Sequence, residues 1–247
     1  MVRSFISSGL FIGYAHGRRP WSFASLRLLF VPLLVSVACA GPLMQRSGGA
    51  RQLYRESGFG RQHLREGGLS FLAPSLSLGQ ETLGHALVPK LFEEFERALP
   101  DANVVPPSLA ASRINEAGLS GPYAEMMRTY DRTGILEREA LARIAQAIEA
   151  RYVAVPILVN FHEEMNTRLS TLGFRLAKTA TTNTRVQLQI WDGQTGHIVW
   201  EGLSDVTLAE ETVREQSIRF ERAIQLTSEY LLKQVPDSDV ASAPPGP

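Results

Sequence analysis

The stretch RYVAVPILVN (151–160) constrains this chain more than any other segment. It is almost unbroken in apolar side chains, so a strand there is buried on both faces, and the sheet that holds it needs cover above and below. Directly before it, LEREALARIAQAIEA (136–150) sets Leu136, Leu141, Ile144 and Ile148 along one side and Glu and Arg along the other, which predicts an amphipathic helix feeding the strand. Pro156 removes a ladder donor inside the run, so a bulge or an edge open on that side is expected.

A second signal lies in RVQLQIWDGQTGHIVWEGL (185–203). Val186, Leu188 and Ile190 alternate with Arg185, Gln187 and Gln189, residues 192–196 supply turn chemistry, and Ile198 and Trp200 resume the alternation. The pattern predicts an antiparallel hairpin with one wet face. Trp191 and Trp200 flank its turn, either as cross-strand packing or as exposed aromatic anchors for a partner. A last helix over about 209–234, with Val213, Phe220, Ile224 and Leu231 at helical spacing, is expected to lie across the sheet and close the domain.

Shorter elements come earlier. LSFLAP (69–74) reads as a buried strand stopped by Pro74. Leu83, Leu87, Leu91, Phe92, Phe95 and Leu99 predict a helix over 82–99, with a kink or late start expected from Gly84 and Pro89. NVVPP (103–107) is extended; Pro107 opens a short helix ended by Gly118, and residues 122–134 form another closed by Gly134. The fold class expected is α/β (α+β): a mixed sheet of about four to five strands packed by helices, a C-terminal antiparallel hairpin, and a long closing helix. The segment 161–183 is long for a connection. Its charges (Arg168, Arg175, Lys178) and apolar residues (Leu169, Leu172, Phe174, Leu176) make it either an extra extended arm or a contact loop.

Composition bears chiefly on location. The net charge is +0, but residues 1–38 carry Arg3, Arg18, Arg19 and Arg27 with no acidic residue, so the rest of the chain is mildly acidic and nucleic acid is not an expected partner. Arginines, then LLFVPLLVSVACA (28–40), then small residues is the order of a secretory signal. The stretch is shorter than the roughly 20 apolar residues that span a bilayer. Val37-Ala38-Cys39 resembles the lipobox of bacterial lipoproteins, although Ser36 stands where leucine is usual. The resemblance implies lipid attachment at Cys39, the single cysteine of the chain, and Ala40 after it favours the outer membrane. An ordinary cleaved signal ending near Ala38 or Ala40, or an uncleaved anchor, are the alternatives. The organisation expected is a signal over 1–38, a Gly- and Arg-rich tether over 39–67, a domain over 68–235 and a disordered tail over 236–247.

Catalytic signals are sparse. HEEMN (162–166) has asparagine where a second zinc-binding histidine would stand, and His63, His85 and His197 are scattered. There is no Gly-x-Ser-x-Gly elbow and no phosphate-cradling loop, while Glu93-Glu94, Glu163-Glu164 and Glu210-Glu211 read as solvated faces. No catalytic residue, metal or cofactor is expected.

The segments LARIAQAIEARYVAVPILV and VQLQIWDGQTGHIVWEG are similar to a helix, buried strand and Asp-x-x-Thr-Gly hairpin found in a group of envelope lipoprotein domains. That group includes the curli secretion-channel lipoprotein, the activator lipoprotein of penicillin-binding proteins and the amino-terminal domain of the Tol translocation protein. The resemblance implies binding or assembly and no catalysis. It points to a lipid-anchored protein on the periplasmic face of the outer membrane that binds an envelope protein or itself. Arg168, Phe174, Arg175, Lys178, Trp191, Trp200 and the turn 192–196 are its candidate contacts. A subunit of an oligomeric secretion channel and a periplasmic hydrolase are the alternative readings.

Overall fold

Three parallel strands carry the fold: β2 (Leu69–Phe71) lies between β4 (Val104–Val105) and β5 (Tyr152–Leu169). The computed structural model describes residues 44–76, 80–169, 175–212 and 220–237. Beyond β5, β6 (Arg175–Asp192), β7 (Ile198–Thr212) and β1 (Met44–Arg55) continue the sheet in antiparallel fashion, giving the order β1-β7-β6-β5-β2-β4. The two-residue strand β3 (Ser75–Leu76) pairs with β5 at Ile157 and Leu158. The sheet therefore has seven strands among the described residues, more than the four to five expected.

Helices cover the central strands on both sides, as the apolar run requires. On one side, α2 (Glu81–Ala98) sets Leu87, Leu91 and Phe95 against Leu69, Phe71 and Ala154, and α6 (Phe220–Gln234) adds Ile224 and Leu231. On the other, α3 (Pro107–Glu116), α4 (Ser120–Thr133) and α5 (Arg138–Ile148) place Ile114, Met126, Tyr130, Leu141 and Ile144 against Val105, Val153, Val155 and Trp191. α4 closes on Gly134 in the left-handed region (φ 69°), where glycine lacks the steric cost of a Cβ. α2 runs through Pro89 as one helix.

Three expectations change, and the edge expected to be open at Pro156 is found on one side of it. Residues 44–67, whose composition suggests a tether, supply β1 and the short helix α1 (Arg61–Gly67), because β7 offers a ladder that satisfies a Gly- and Arg-rich strand of weak intrinsic preference. At the far end, Pro236 accepts the Arg61 N–H at 2.8 Å and Asp237 pairs with the Arg61 guanidinium at 3.0 Å, so both are held. Residues 209–212 belong to β7, the helix α6 is described over Phe220–Gln234, and Val213 lies outside the described residues. Pro156 is paired in register with Leu188, and the nearby bulge lies between Leu158 and Asn160. On its other side Pro156 falls between the β2 and β3 pairings. The Leu72 N–H reaches Ala154 at 2.9 Å, the Ala73 N–H turns to the Tyr123 hydroxyl at 2.8 Å, and the proline ends the β2 ladder where a donor would have extended it.

Candidate functional site

The described parts of 161–183 form an extended arm. Residues 161–169 and 175–183 lengthen β5 and β6 into a hairpin that pairs with the outer half of β7, itself paired with β1. The result is a four-stranded ribbon continuing past the layer of α3, α4 and α5. Because side chains alternate across a strand, its two faces differ. One face carries Ala180, Val206 and Leu208 and is closed by Ala223 and Leu226 of α6. The other carries three cross-strand rows: Asn160, Arg185, Asp205 and Gly49; His162, Asn183, Thr207 and Ser47; Glu164, Thr181, Ala209 and Gln45. None of these residues belongs to an apolar cluster, and Asn160, His162, Glu164, Arg185 and Asp205 are exposed.

Polar groups on this bare face are locked to one another. Arg185 donates through Nε to Asp205 Oδ2 at 2.8 Å and through Nη2 to the same oxygen. Thr207 Oγ1 donates to Asn183 Oδ1 at 2.7 Å. Towards the helices, Gln187 and Gln189 both donate to Glu201 Oε1, at 2.5 and 2.8 Å. Gln189 Oε1 in turn accepts the Tyr130 hydroxyl at 2.8 Å and the Trp191 indole N–H at 3.2 Å, and burial pushes the Tyr130 phenol well above its usual range, with Glu201 and Asp131 adding to the shift. Held side chains over a fixed backbone make a pre-organised polar surface, which loses less entropy on binding than a loop does. A concavity of about 380 Å³ lies in it, lined by Asn160, His162, Asn183, Thr184, Arg185 and Asp205.

At the base of the ribbon, the turn 192–196 is fastened to the body. Asp192 is buried and accepts from Arg151 Nη2 at 2.7 Å and from the Gln194 N–H at 2.8 Å. Burial alone would raise its carboxyl, but the Arg151 guanidinium and the turn N–H groups hold it below the usual carboxylate range. Gly193 is pressed onto α5, where a Cβ would meet that of Ala145 at 2.3 Å. Of this turn, Gln194 and Thr195 are exposed.

Trp191 and Trp200 are not surface anchors. Trp191 is 5% exposed and stacks edge-on against Tyr130; Trp200 is fully buried in the opposite core, beneath Gly202. Both are interior because each face of the hairpin base has its own helix layer. Arg168, Arg175 and Lys178 lie by their backbones in the hairpin, at Arg168 opposite Ala177, Arg175 opposite Leu169, and Lys178 opposite Thr167. Cys39 and Phe174 lie outside the described residues. Residues 162–166 are part of β5, so His162 and Asn166 sit on one strand face and not on a helix. Among the described residues, no group of three or more His, Cys, Asp or Glu side chains gathers as a metal site. Arg185 stands on the wet hairpin face that the alternation predicts, whereas β1, Asn183, Asp205 and Thr207 are ribbon residues for which the Thr-rich alternation of 179–184 is the available signal.

No protein-family model matches this chain, and no curated protein sequence does. Among solved structures, it is similar to the PelC dodecamer from Paraburkholderia phytofirmans, at 14% identity and a TM-score of 0.37 over 76% of this chain and 99% of that one. It is also similar to lipoprotein GNA1162 from Neisseria meningitidis, at 12% identity and 0.37 over 68% and 96%. A third similarity is to the LpoB C-terminal domain from Salmonella enterica, at 17% identity and 0.30 over 59% and 94%.

Proposed function

We propose that this chain is a binding and assembly protein of the cell envelope, tethered by lipid at Cys39 to the periplasmic face of the outer membrane and acting through protein contacts made by the ribbon. The observation that carries the contact role is the ribbon itself: four strands that extend past the α3–α5 layer, with an internally bonded polar face outside the apolar clusters and, among the described residues, backbone unpaired at both borders. Open borders are the standard template for adding another chain's strand. Support for the anchor comes from the leader and the placement of Cys39. No described helix is long and apolar enough to cross a membrane.

The channel reading would use the β5–β6 hairpin as a membrane insert, which needs one apolar face. Here one face carries His162, Glu164, Asn183 and Arg185, and the other includes Glu163. The contact reading is therefore preferred. Its test is site-specific photocrosslinking in the native envelope, with the probe at Ser47, His162 or Asn183 and, as controls, at exposed Glu116 and Asp131 on the helices. Protein adducts are expected at the ribbon positions; adducts absent there, or equally abundant at the controls, would overturn it. Mass spectrometry of the amino-terminal peptide tests the anchor separately, and an unmodified Cys39 thiol would remove it.

A further inference from the structure

The two borders of the ribbon match each other. Among the described residues, β1 pairs with β7 alone on one side, and on the other β5 is unpaired beyond its pairing with β3 at Ile157 and Leu158. Each border offers an unbroken register between irregularities, Met44–Gln52 in β1 and Asn160–Arg168 in β5, and the two stretches are equal in length. Neither contains proline or lysine, the residues that commonly guard an edge against added strands. Their charges are opposed. Met44–Gln52 carries Arg46 and Arg51 with no acidic residue, whereas Asn160–Arg168 carries Glu163 and Glu164 beside His162 and Arg168.

Strand direction and register add two further matches. Four strands alternate in direction across the ribbon, so a rotation about an axis along the strands brings β5 of a second copy antiparallel to β1 of the first. Within one copy, Glu163, Thr182, Leu208 and Arg46 form a single cross-strand row. Continuing that row into the next copy sets Arg46 against the Glu163 of the second copy. Glu163 Oε1 is buried without a hydrogen-bond partner among the described residues, a state that a guanidinium from outside would relieve.

We propose that copies of this chain associate head to tail, with Met44–Gly49 of one pairing antiparallel to Asn160–Met165 of the next and Arg46 meeting Glu163 across the junction. This names the partner for the ribbon and rests on the reading of the ribbon as a contact surface. Such a junction joins unlike surfaces, so repetition gives a closed ring or an open filament according to the rotation per copy.

The test is sedimentation and native mass spectrometry of the full-length protein, extracted in detergent from its native membrane, as wild type, Arg46→Glu, Glu163→Arg, and the two variants co-expressed. Each single variant places like charges at every junction, and a change from opposite to like cross-strand pairs weakens association about tenfold. Co-expression restores complementary charges at every junction where the two variants alternate, since Glu at 46 of one chain meets Arg at 163 of the other while the second chain's Arg46 meets a native Glu163. Wild type and the co-expressed pair are therefore expected as multi-copy species and each single variant as largely monomer, with circular dichroism melts verifying that every variant is folded. A monomeric wild type, single variants that associate like wild type, or a co-expressed pair no better than its components would each overturn the proposal. If wild type is monomeric while ribbon photocrosslinks to another protein persist, self-pairing alone falls; if those crosslinks are absent too, the contact reading falls with it.

Discussion

Replacing Asp192 with asparagine tests the corner that fixes the ribbon to the body. The carboxylate is 4% exposed and receives Arg151 through Nε at 3.2 Å to each oxygen and through Nη2 at 2.7 Å, with the Gln194 N–H at 2.8 Å on Oδ1. Asparagine keeps the size and one acceptor oxygen, but it removes the charge and turns an amide N–H₂ towards a guanidinium that has no acceptor to offer. Hydrogen bonds to a charged group each contribute about 1.5–3 kcal/mol, and the 41% exposure of Arg151 screens part of that, so the variant should lose about 2–3 kcal/mol. In a domain of this size that lowers the melting temperature by about 5–10 °C.

The pH dependence has a definite sign. The folded-state pKa of Asp192 lies below the unfolded value of about 3.9, so its contribution is fully present above that value and is lost as pH falls through the folded one. The difference between wild type and Asp192→Asn, followed by urea unfolding, should therefore be constant from pH 7 down to about 5 and shrink below about 4. Combining Asp192→Asn with Arg151→Gln should cost little more than Asp192→Asn alone, because the two side chains share one interaction. A loss below about 0.5 kcal/mol at neutral pH, or a difference that persists undiminished in acid, would refute the assignment of stability to this ion pair.

Two further outcomes can be read by the same unfolding assays. Gly193→Ala should destabilise by about 1–3 kcal/mol, because its Cβ would stand 2.3 Å from that of Ala145, and Gly193→Ala combined with Ala145→Gly should recover part of the loss. Trp200→Ala should cost about 3–5 kcal/mol by opening a cavity in the core shared by the sheet, α2 and α6, with a lower urea midpoint.

Elements with strong local patterning are legible in the amino-acid order. Pro107 at the start of α3, Gly134 after α4 and the three- and four-residue spacing of Leu141, Ile144 and Ile148 act within a turn or two of themselves, so their meaning survives without tertiary context. The strand over 152–160 and the hairpin turn at 192–196 are equally plain. The site is much less so. Trp191 and Trp200 look alike as candidate anchors on a half-wet hairpin, and only the helix layers on opposite faces bury both. Residues 209–212 fit a helical spacing that ladder bonds to β6 and β1 override.

What the amino-acid order alone determined was local: where helices begin and end, which strand is apolar on both faces, and that a basic, apolar leader precedes Cys39. Only the tertiary structure decided that a Gly- and Arg-rich stretch becomes the border strand β1, that 161–169 and 175–183 are strands of a four-stranded ribbon, and that Arg46 and Glu163 occupy opposite ends of one row. The reason is physical. Helix bonds close within four residues and leave a period in the sequence, whereas the ladder that holds β1 to β7 joins residues more than a hundred positions apart and depends on a neighbour whose identity the strand itself does not encode.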